Sequence, residues 1–106
     1  MMNVMCEEQR KKLHQIIQQL KNAQSEVEEA YETTMMSDAK WAVSRLCDNL
    51  KKDESIDPSI KSQILPYFEA AHSAILGLES TYKRAGMCGD KLNEAESCII
   101  KILSKL

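Results

Sequence analysis

The chain has few residues that interrupt regular structure. Of its 106 residues only two are proline and three are glycine, and none of these five comes before Pro58. A breaker-free stretch of that length, rich in Glu, Gln, Lys, Leu, Ala and Met, excludes a fold built on tight turns and reads as long helix. Aromatic residues make up just 5%, so the core must be aliphatic with methionine as filler. A dominant charge is missing too. Fourteen basic and sixteen acidic side chains leave a net charge of −2, which excludes the basic footprint of a nucleic-acid binder. No apolar run approaches the ~20 residues a membrane span takes. The opening segment Met1-Met2-Asn3-Val4-Met5-Cys6-Glu7-Glu8 turns acidic at once and lacks the basic and apolar regions of a cleaved leader. The expectation is a cytoplasmic protein, or one exported without a cleaved signal peptide. Strand-like alternation, internal repeats and low-complexity tracts are absent.

What is present is helical periodicity. Leu13, Ile16, Ile17, Leu20, Val27, Ala30 and Tyr31 recur at helical spacing, and Leu13, Leu20, Val27, Thr34 and Trp41 form a seven-residue series. Val43, Leu46, Cys47 and Leu50 continue an apolar stripe, but shifted around the helix. Asp53 to Pro58 is the strongest local signal. Asp57 reads as an N-cap and Pro58 as the first helical residue, where a missing N–H costs nothing. A connection of about five residues then turns the chain back on itself. The second arm carries Ile60, Ile64, Phe68, Ala71, Ile75, Leu78, Tyr82 and Ala85, followed by Leu92, Ala95, Ile99, Ile102 and Leu106. Pro66 predicts a kink within it, and Gly86 to Gly89 a second weak point.

Two all-α architectures follow for this single domain, residues 1–106. The favoured one is an antiparallel helical hairpin of two long helices, about 6–52 and 58–105, kinked near 66 and 86–89. Two such helices leave one side of the apolar stripe uncovered, so a partner must complete the bundle. The other is a compact monomeric four-helix bundle with breaks near 35 and 88.

Catalytic chemistry finds little support in the residues. His14 has Ile17 and Gln18 where a second metal ligand belongs, and no Cys-x-x-Cys occurs, so no metal and no cofactor is expected. Cys6, Cys47, Cys88 and Cys98 fall within apolar periodicities, where a reduced thiol serves as a small hydrophobe. Glu26, Glu28, Glu29 and Glu32 read as a solvated helix face. His72 on a four-helix bundle resembles the phospho-accepting residue of the histidine phosphotransfer family, which implies phosphoryl relay. That family follows its histidine with Lys and Gly at the third and fourth positions; here Ile75 and Leu76 stand there.

Trp41 is the sole tryptophan and lies near mid-chain. A small, leaderless helical chain with a central Trp resembles the Trp-X-Gly helical hairpins of type VII secretion and their small helical companions. Val43 occupies the glycine position, and Tyr82 is followed four residues on by Gly86 rather than by an acid. The resemblance covers architecture and implies a secretion companion or adaptor that binds another helical chain. The resulting expectation is a non-enzymatic protein–protein interaction subunit. It pairs with itself as a homo-oligomer or with a cognate helical partner through Leu13, Ile17, Leu20, Val27, Tyr31, Trp41, Ile64, Phe68, Ile75 and Leu78. An immunity or antitoxin-type bundle is the further alternative.

Overall fold

The computed structural model describes residues 4–106, with side chains from Cys6 onward. It contains four helices and, among the described residues, no strand: α1 (Val4–Thr33), α2 (Ser37–Lys52), α3 (Pro58–Ile75) and α4 (Thr81–Lys105). The two long arms expected from the sequence are therefore each divided. The first breaks at residues 34–36, as the bundle alternative anticipated. The second breaks at residues 76–80, and not at Gly86–Gly89, which lie inside α4. Met1 and Met2 fall outside the described residues.

The first break follows from the phase of the apolar residues. α1 buries Leu13, Leu20 and Val27, while α2 buries Ala39, Val43, Leu46, Cys47 and Leu50. At about 100° per residue these two stripes would point about 120° apart on one straight helix. Only a reversal of the chain turns both onto the same core. Thr34 makes that reversal at φ 61°, the only non-glycine residue of the described chain with positive φ. Its N–H still donates to the Ala30 carbonyl at 2.8 Å, as in a left-handed helix cap. Thr33 helps by donating its hydroxyl to the Glu29 carbonyl and accepting from the Met35 N–H.

The α2–α3 connection is built as the sequence predicts, with one addition. Asp57 caps α3 by accepting from the Ser59 N–H at 2.8 Å, and Pro58 opens the helix. Ile56 drops into the core. The addition is Gln9 of α1, which is only 7% exposed. Its amide donates to the Ser55 carbonyl and accepts from the Asp57 N–H, both at 2.9 Å. One side chain thus satisfies two backbone groups of the loop that would otherwise lack partners. α3 continues through Pro66, which faces solvent and leaves the Ser62 carbonyl without its usual donor. At the other end of the molecule the Ser80 hydroxyl caps α4 by accepting from the Lys83 N–H. Arg84 reaches back to the Ile75 carbonyl at the end of α3, a favourable place for a cation.

Successive helices run antiparallel. α1 packs on α2 and α4, and α3 packs on the same two, so the backbones of the diagonal pairs stay apart across the shared core and the four make a closed up-down-up-down ring. The bundle measures 50 × 21 × 17 Å. Its core is aliphatic around Phe68, the only phenylalanine. Cys47 and Cys88 pack there as small apolar groups. Burial pushes their thiols up to about 11 and about 12 respectively.

Candidate interaction surface

The intramolecular core takes up most of the apolar stripe. Of the ten residues expected to contact a partner, Leu13, Leu20, Val27, Ile64, Phe68 and Ile75 are buried inside the bundle. Ile17 is half-buried and packs against that core. An intact bundle therefore presents only Tyr31, Trp41 and Leu78 of this set. These three share one end of the molecule, where the 34–36 and 76–80 connections lie.

The breaks create this end. Trp41 stands in the second turn of α2 and remains 68% exposed, because the reversal at Thr34 removes it from the seven-residue series of α1. Leu78 sits in the α3–α4 connection and is fully exposed. Met35, and Leu76, which was not foreseen as a contact, add further exposed apolar surface. Tyr31 and Tyr82 close the α1–α4 side of the same end. Their rings are 4.2 Å apart at a 34° tilt and their hydroxyls are hydrogen-bonded. That bond to Tyr82, with a smaller contribution from burial, raises the Tyr31 phenol above its ordinary value.

Between α2 and the end of α3 lies an open cleft of about 310 Å³. Ser37, Lys40, Trp41 and Ser44 line one wall at the i, i+3, i+4, i+7 spacing of a single helix face. His72 and Leu76, one turn apart, line the other. Among the described residues, the side chains of Ser37, Lys40, Ser44 and His72 have no hydrogen-bond or ion-pair partner. The cleft thus combines an indole face and a leucine with one ammonium, one imidazole and two hydroxyls, and its lining holds no carboxylate. The helical spacing of Ser37, Lys40 and Ser44 about Trp41 was readable in the sequence. The approach of Leu76 was not, since it depends on where α3 ends.

Elsewhere the groups that carry chemistry are dispersed. No three His, Cys, Asp or Glu side chains among the described residues converge as a metal site. His14 is exposed, as are Glu28, Glu29 and Glu32. Ile75, at the position where a phosphotransfer protein has its lysine, points into the core. Cys98 lines a groove of about 480 Å³ between α3 and α4, where burial raises its thiol and so disfavours the nucleophilic thiolate. No helix is long and apolar enough to cross a membrane among the described residues. Comparison with known protein families, curated proteins and solved structures finds no match to this chain.

Proposed function

We propose that this chain is a non-catalytic helical interaction subunit that binds another protein chain through the bundle end bearing Trp41, Leu76 and Leu78. One observation carries the reading: in a chain so poor in aromatics, the single tryptophan lies largely open beside the exposed Leu76, while most of the apolar stripe is consumed by the core. Clustered exposed apolar surface on a small bundle marks an interaction site. A rigid indole is also the side chain most often found to dominate binding energy. The specific role is that of a companion or adaptor for a helical partner, in line with the resemblance to the companions of type VII secretion. The working compartment under this reading is the cytoplasm.

The test uses the full chain and a Trp41→Ala, Leu78→Ser double variant, each purified from its native source. A stoichiometric partner, or a second copy seen by light scattering, is retained by the wild type and lost from the variant at unchanged thermal stability. A strictly monomeric wild type that carries no partner would refute the reading.

A second reading is phosphoryl relay through His72, supported by an unpartnered imidazole that shares its cleft with Lys40. Lys40 would supply the cation that position 75 lacks. Incubation with acetyl phosphate labels His72 under this reading, and absence of label ends it.

A further inference from the structure

Resting on the interaction reading, we infer that the α2–α3 cleft receives an amphipathic helix of a heterologous partner, with apolar anchors against Trp41 and Leu76 and a carboxylate facing Lys40.

The shape selects a helix. The cleft runs between two antiparallel helices whose lining residues recur at one-turn spacing, so a further helix laid along it finds ridges and grooves of matching period. A small molecule suits it less. The cleft is open, and Met35 and Leu78 lie exposed in the connections at the same end of the bundle, whereas small-ligand sites enclose most of their ligand.

The charge selects the acid. Lys40 is the one permanently charged group in the lining and has no partner within the described chain. Glu69, one turn before His72 on α3, is already paired with Lys51 at 3.5 Å. Asp38 lies on the neighbouring face of α2 and Asp48 one turn beyond Ser44, and neither lines the cleft. An apolar helix carrying a carboxylate beside its anchors complements this arrangement, and one carrying an ammonium there meets Lys40 directly. The same argument disfavours a second copy. A two-fold pairing through the cleft sets one Lys40 toward the other, and the lining offers no carboxylate to meet either.

The experiment uses the full chain and two synthetic helical peptides of about 15 residues, long enough to hold some helix in water. Both carry leucines at i, i+4 and i+7. They differ only in bearing Glu or Lys at the positions flanking the central leucine. Trp41, the only tryptophan, reports binding through its emission. The acidic peptide shifts the emission and saturates. It binds about tenfold tighter than the basic one at low salt, with the ratio shrinking as salt rises. Lys40→Glu reverses the order of the two peptides, and Leu76→Ser weakens both about tenfold or more. Equal binding of the two peptides, no binding of either, or an unchanged order in Lys40→Glu overturns the inference. A wild-type dimer dispersed by Trp41→Ala also overturns it, assigning the face to a second copy, yet it leaves the interaction reading standing. A native partner lost from the Trp41→Ala, Leu78→Ser variant but retained by Lys40→Glu has the same effect.

Discussion

Replacing Gln9 with alanine removes the side chain that hydrogen-bonds α1 to the backbone of the α2–α3 loop. In the native chain its amide is nearly fully buried and makes two bonds of 2.9 Å, one to the Ser55 carbonyl and one from the Asp57 N–H. Alanine leaves both backbone groups without their partner in a partly buried place. Each orphaned group costs about 1–2 kcal/mol, so the variant loses about 2–4 kcal/mol in all. For a domain of this size that corresponds to a fall in Tm of about 10–25 °C. Urea unfolding followed by circular dichroism should show a lower midpoint at unchanged m-value. Gln9→Glu refines the test. The introduced carboxylate, when ionised, accepts from Asp57 but opposes the Ser55 carbonyl, whereas its protonated form donates to that carbonyl. The folded state therefore holds the proton more tightly than the unfolded one, which raises the folded pKa of the introduced carboxyl. Relative to the wild type, the variant is most stable below the ordinary glutamate value of about 4.3 and loses that gain as pH rises through the raised value. A Gln9→Ala deficit under about 0.5 kcal/mol would refute the assignment of this glutamine as the loop's anchor.

Three further outcomes follow from the helix details. Gly86 and Gly89 sit inside α4, where an added Cβ would lie 3.9 Å from Tyr31 Cε2 and 3.8 Å from Val27 Cγ1. Since these are ordinary contacts, Gly86→Ala and Gly89→Ala should each stabilise the bundle by about 0.5–1 kcal/mol in urea melts. Thr34→Gly should be neutral to stabilising by about 1 kcal/mol, because glycine adopts φ 61° without the penalty a β-branched residue carries there. Thr34→Val should instead be less stable than the wild type. With their thiols raised to about 11 and about 12, Cys47 and Cys88 should resist iodoacetamide at pH 8 in the folded chain, while half-buried Cys98 reacts before either. Peptide mass mapping reads that order.

Asp57-Pro58 was legible as a helix start because capping is local: a carboxylate, a proline and a free amide two residues on suffice. The break near residue 35 was legible mainly as a phase slip between Val27 and Val43, since no glycine marks it. Met36 caps α2 without any side-chain hydrogen bond. The second break was misplaced for a physical reason. Leu78 keeps the spacing of Ile75, Tyr82 and Ala85, so it counts as core in any periodicity argument, yet it hangs in the connection that Leu76 opens and Ser80 closes. Gly86 and Gly89 looked like breakers because glycine weakens a helix, but packing against α1 and α3 outweighs about 1 kcal/mol per glycine. The candidate surface inherits both results. Trp41 is surface only because the chain reverses at Thr34, and Leu76 borders its cleft only because α3 ends at Ile75. Neither fact is present in the spacing of apolar residues, which treats a partner's face and the chain's own core alike.

We propose that the Trp41 end is where this bundle meets another chain. Acrylamide quenching of Trp41, measured on the isolated protein and again on the complex purified from the native source, tests it most directly. Strong quenching is expected in the isolated chain, fitting a tryptophan residue 68% exposed, and marked protection with a blue-shifted emission in the complex. Equal quenching in the two states, with the partner demonstrably bound, would contradict it.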